Sequence, residues 1–155
     1  MKEFVVKWST ERRKKQHMVE WDKEKAIYFT NIKQGLDSYD NEIVWMGEQE
    51  AFDFFCRKCK EAKEGSVFAD FYYSRLEERS KEIVDQVLSE EERQYVRSLA
   101  DQIIYPLDEK LLKIITRLNA KKILFSTIYF TGEAKERSTW WGNYNQEYVV
   151  FREKI

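Results

Sequence analysis

"KILFSTIYF", residues 122–130, carries apolar side chains on both parities, with Ile123, Phe125 and Tyr129 alternating against Leu124, Ile128 and Phe130. In a strand, successive side chains point to opposite faces, so this pattern predicts a central strand covered on both sides. A second β-rich run, "QEYVVFRE" (146–153), lies near the end of the chain. Four shorter runs occupy the first third: "EFVVKW" (3–8), "HMVEW" (17–21), "AIYFT" (26–30) and "NEIVWM" (41–46). They are rich in β-branched and aromatic residues and separated by polar turn material, which reads as a meander.

Between these two β-rich regions the period changes. In "EQEAFDFFCRKCKEAKEG", Phe52, Phe55, Cys56 and Cys59 recur at helical spacing, and Gly65 stands where a helix would stop. A second helix is predicted from the stripe Phe68, Phe71, Tyr72, Leu76, Ile83, Val84 and Val87. "SEEE" at 89–92 is a capping box, in which Ser89 and Glu92 satisfy each other's free amides, and it opens a third helix through Val96, Leu99 and Ile103. Pro106 must break or kink that helix. Periodicity resumes at Leu107, Leu111, Ile114 and Leu118, with Asn119 as its stop.

The order is strands, helices, strands. Closing strands that pair with an opening meander give one α+β domain over residues 1–155. Its sheet is mixed or antiparallel, with about five or six strands packed by three or four helices.

Lys and Arg total 27 against 28 Asp and Glu, a formal net charge of −1. Nucleic-acid binders draw affinity from phosphate neutralisation and show a basic excess, so this balance argues against that class. No run approaches the roughly 18 apolar residues of a membrane span, and the N-terminus lacks the apolar core of a signal peptide. A cytosolic location is expected.

Cys56 and Cys59 fall well inside a predicted helix on its apolar face, a structural rather than a metal or redox position. A structural zinc needs four ligands, and His17 is the single histidine. No metal and no cofactor are expected. Arg12, Arg13, Lys14 and Lys15 make a basic run that reads as a solvated turn.

The stretch 131–145 reads as one long loop between the last two strands, and long loops in compact domains are often functional. It carries Arg137, Trp140, Trp141 and Tyr144. In an extended segment neighbouring residues face opposite ways, so burial of one tryptophan leaves the other exposed. Exposed Trp flanked by Arg and Tyr has the composition of an interface hot spot. These four residues are therefore the expected contacts of a non-enzymatic binding or inhibitory accessory module, of the sort encoded beside toxins or on mobile elements. Its partner is another protein or a second copy of itself.

An enzymatic alternative rests on "FST" (125–127) and "NQE" (145–147). Together they resemble the Ser-Thr-Ser strand and the Glu strand of ADP-ribosyltransferases. That resemblance implies a nucleotide- or NAD-using enzyme with Thr127 helping to hold NAD and Glu147 polarising the ribose. No arginine is assigned to the family's third role, and the chain lacks a glycine-rich segment.

Overall fold

A computed structural model of the protein describes residues 26–29 and 31–154. In chain order the elements are helix α1 (Ile32–Ser38), strand β1 (Asp40–Trp45), α2 (Glu48–Glu61), β2 (Val67–Asp70), α3 (Glu78–Asp85) and α4 (Glu90–Ser98). They are followed by β3 (Ile104–Pro106), α5 (Glu109–Ala120), β4 (Thr127–Phe130), β5 (Ser138–Asn143) and β6 (Glu147–Arg152). The six strands form one sheet in the order β1-β6-β5-β4-β2-β3, antiparallel at every neighbour. The fold is α+β, as the order of elements predicts, and its last strand, β6, does pair with the strand at 40–45.

Side-chain alternation sorts the sheet into two faces. Val67, Ala69, Ile128, Phe130, Trp140, Tyr148 and Val150 point into the main core with Phe55 of α2 and Leu111, Ile114 and Leu118 of α5. On the opposite, outer face, Ile27, Phe29 and Phe151 form a smaller cluster against Tyr39, Trp141 and Val149. β4 is buried on both faces through Ile128, Tyr129 and Phe130, as expected of a central strand. Only 127–130 of the 122–130 run pairs, because Lys122 turns the chain out of α5 with φ of 60°.

Local signals set the helix boundaries. Ser89 accepts from the Glu92 amide at 3.1 Å and the Glu92 carboxylate accepts from the Ser89 amide at 2.8 Å, completing the capping box of α4. The Asp108 carboxylate caps α5 by accepting from the Leu111 amide at 2.7 Å. Arg117 of α5 then grips Glu92 in two-pronged fashion, at 2.6 and 2.9 Å, and joins the two helices.

Several expected boundaries are corrected. The predicted second helix begins as β2, because Val67 and Ala69 alternate into the core between β3 and β4; a short 3-10 turn follows at Tyr73–Arg75, and the α-helix covers only 78–85. The third helix ends at Ser98, and Pro106 sits in the edge strand β3, where a missing amide donor is tolerated. Residues 26–29 run across the outer face without joining the ladder. There the Ile27 carbonyl accepts from Thr139 Oγ1 at 2.5 Å. The expected strands at 3–8 and 17–21, His17 and the basic run 12–15 lie outside the described residues. Among the described residues no helix is long and apolar enough to cross a membrane.

Candidate functional site

The stretch 131–145 is not one loop. Ser138–Asn143 is β5, hydrogen-bonded on one side to β4 and on the other to β6. The tryptophan pair thereby straddles the sheet. Trp140 enters the main core and is 2% exposed. It packs on Phe54 and Phe55 at 5.1 and 5.4 Å and donates its indole N–H to Ser138 Oγ at 2.9 Å. The cations of Lys58 and Arg152 lie 5.8 and 5.6 Å from its ring.

Trp141 points to the outer face, half-buried, stacked on Phe29 at 5.0 Å with Phe151 edge-on at 5.7 Å. Arg137 precedes β5 and holds Glu153 at 2.9 Å, with 17% of its side chain exposed. Tyr144, half exposed, lies in the β5–β6 turn with its ring edge-on to Phe125 at 4.8 Å. Arg137 and Tyr144 flank the two ends of β5, so about 20 Å of strand separates them. The four expected contacts do not converge on one surface.

An exposed apolar surface does exist one strand further out. Among the described residues the large hydrophobic side chains that stand exposed are Ile32, Leu36, Ile43, Trp45 and Tyr144, and four of these five belong to α1 and β1. Trp45 is the most open, at 61%. Ile43 and Trp45 share the outer face. Ile43 stands across from Val149, which stands across from Trp141, so an apolar row runs over three strands to the sheet edge. The Asn41 side chain donates to the carbonyls of Leu36 and Tyr39 at 3.3 and 3.1 Å and ties α1 to the same edge.

Among the described residues, the backbone edge of β1 away from β6 has no ladder neighbour. The Met46 amide donates to the Gln146 carbonyl at 3.0 Å, on the same register that pairs β1 with β6. In an antiparallel ladder the hydrogen-bonding direction alternates residue by residue. The even-numbered residues of β1 therefore turn their amides and carbonyls toward β6, and Asn41, Ile43 and Trp45 turn theirs outward. The residues with outward backbone groups are the ones whose side chains line the outer face. Sequence reading placed 41–46 in a strand but not at an edge. The alternation of Asn41, Ile43 and Trp45 against Glu42 and Val44 was the available signal, and strand order was needed to interpret it.

The residues singled out by the enzymatic resemblance lie on the outer face, two strands apart, with Trp141 between them. Two inter-strand spacings and a two-residue offset along the strands put their backbones about 12 Å apart. Glu147 stands across from Trp45 and Asn143, while the Thr127 amide donates to Asp70 at 2.8 Å. Asp70 is the most perturbed carboxyl on that face. Burial pushes it up to about 7, against the opposing pull of its hydrogen bonds from Thr127 and Tyr129. Burial raises the phenol pKa values of Tyr28, Tyr72 and Tyr129, and the nearby Asp70 charge raises them further.

Cys56 and Cys59 are half-buried on α2 against the main core. Burial raises both thiols, Cys59 to about 11, so neither is an activated nucleophile. Among the described residues no group of three or more His, Cys, Asp or Glu is placed to hold a metal ion. No protein-family model, curated protein or solved structure matches the chain.

Proposed function

We propose that the protein is an interaction module that docks a protein partner through the free edge and outer face of β1. One observation carries this reading: Ile43 and Trp45 are exposed on the strand whose outward amides and carbonyls have no ladder neighbour among the described strands. Proteins usually blunt an open edge with short strands, charge, proline or a covering element. β1 does carry Asp40 and Glu42, but its outer face offers an indole and a branched aliphatic chain. Strand addition to such an edge draws affinity from backbone hydrogen bonds and specificity from alternate side chains. A large, exposed tryptophan fits the anchor of such a contact.

The contact set differs from the one expected of the 131–145 stretch. Trp45 and Ile43 are the anchors, Trp141 extends the apolar row behind them, and Trp140 serves the core. The test is capture and titration of a protein partner with wild type, Trp45→Ala and Ile43→Lys. Both substitutions lie at exposed positions and are expected to change stability by no more than about 0.5 kcal/mol. Each should weaken binding at least about 30-fold, the scale of a hot-spot anchor. Partner binding unchanged in both variants would overturn the reading.

A further inference from the structure

We propose that the groove between α4 and α5 is a binding site for a small organic monocarboxylate, one acid group carried on an apolar body about the size of a single ring. Both helices pack on the main-core side of the sheet, opposite the outer face. The proposal goes beyond the docking reading and does not depend on it.

The groove is a cavity of about 300 Å³, with Glu91, Tyr95, Lys110, Lys113 and Ile114 along its walls. That volume is at the small end for ligand pockets, and clefts between packed helices are a common place for them. Both ends of the cavity are fixed. At one end Arg117 holds the Glu92 carboxylate at 2.6 and 2.9 Å, donates to the Val87 carbonyl at 2.9 Å and has Glu48 at 3.7 Å. At the other end the Tyr95 hydroxyl donates at 2.9 Å to the Asp108 carboxylate, which also caps α5. Ile114, fully buried, lies beneath. From Lys110 to Arg117, α5 rises about 10 Å, enough for one ring and one acid group. Because the apolar walls are already held, binding orders few side chains.

The charges around the cavity set the ligand's sign. Glu92 and Arg117 neutralise each other, and Asp108 is engaged by the α5 cap and Tyr95. Lys110, Lys113 and Glu91 make no ion pair among the described residues, and they leave an excess of one positive charge. A single carboxylate balances it, whereas a second negative charge would meet Glu91. Lys110 and Lys113 stand three residues apart on one face of α5, so both ammonium groups reach the same acid group. Lys110 lies 5.8 Å from the centre of the Tyr95 ring. An acid group held by the lysines therefore sets its apolar body against Tyr95 and Ile114.

Amide-correlation NMR of the full chain tests this, with three probes: phenylacetate, its neutral counterpart 2-phenylethanol, and acetate, which has the charge without the ring. Phenylacetate should move the amide signals of residues 89–95 and 110–117 and saturate at roughly millimolar concentration, as expected of about ten heavy atoms. The other two probes should bind at least about fivefold more weakly. Lys110→Met combined with Lys113→Met should weaken phenylacetate about fivefold or more, and Glu91→Gln should tighten it about two- to fivefold, the scale of one exposed charge. All three substitutions lie at exposed positions, where the fold is expected to be kept.

No saturable shift in these two segments at several times that concentration would overturn the proposal. Equal binding of 2-phenylethanol would make the groove an apolar crevice with no preference for an acid. Unchanged binding in the double lysine variant, or weaker binding in Glu91→Gln, would remove the charge argument and the proposal with it.

Discussion

Trp140 and Trp141 are neighbours in sequence and opposites in role. Trp140 closes the main core between β5 and α2, with Phe54, Phe55, Lys58 and Arg152 around it. Truncation of a buried aromatic costs about 3–5 kcal/mol. Trp140→Ala should therefore show a large drop in the midpoint of urea unfolding, whereas Trp45→Ala should leave that midpoint nearly where it was. Equal midpoints in the two variants would contradict the assignment of one indole to the core and the other to the surface. Gly142, on the same face as Trp140, is fixed by a neighbour: a Cβ there would run into the side chain of Asn119, which is 2% exposed on α5. Gly142→Ala should cost about 1–3 kcal/mol by overpacking, read from the same unfolding curves. Sequence reading foresaw that one tryptophan would be buried and the other turned away, because alternation is a property of any extended segment. Which one was buried depended on the register of β5 between β4 and β6, and no local pattern encodes that.

The elements that were legible are those whose signals are local. The capping box of α4 needs only Ser89 and Glu92, and it appears where the sequence places it. β1 and β6 were recognisable from their β-branched and aromatic runs. β2 was misread because Phe68, Phe71, Tyr72 and Leu76 also fit a helical stripe; pairing with β3 and β4 decides between the two. β5 was misread for the opposite reason. Gly142 and Asn143 have turn composition, and the segment is a strand because ladders on both sides make it one. The α4–α5 junction allows a quantitative check. Glu92 serves both the cap and the Arg117 grip, with 17% and 15% of the two side chains exposed, and the Arg117 hydrogen bonds hold its carboxyl below the usual range. Ser89→Ala should cost about 1 kcal/mol as the loss of a cap. A double-mutant cycle on Glu92→Gln and Arg117→Met should give a coupling of about 1–2 kcal/mol, within the range for residues in one network. A coupling near zero would mean that the bridge adds nothing to the junction.

At the scale of the whole molecule, the sheet separates a large core from a thinner outer layer, and the outer layer contains a carboxyl whose charge the fold disfavours. Asp70 is 5% exposed, and burial raises it from an ordinary 3.8 to about 7. Between those values the folded chain holds a proton that the unfolded chain releases. Stability is therefore greatest on the acid side of this window and falls as pH rises toward 7, levelling off above it. Each unit of separation is worth about 1.4 kcal/mol, so the loss across the window amounts to a few kcal/mol. Glu92 works in the other direction, since its lowered pKa withdraws stability only as pH falls below the ordinary carboxylate range. The two effects occupy different parts of the pH scale. Asp70→Asn keeps an oxygen to accept from the Thr127 amide and removes the charge. The variant should match wild type near pH 3.5 and exceed it near pH 8, with the gap opening between about pH 4 and 7 in chemical unfolding at matched ionic strength. If the difference between the two proteins were the same at both pH values, Asp70 would not be the titrating group.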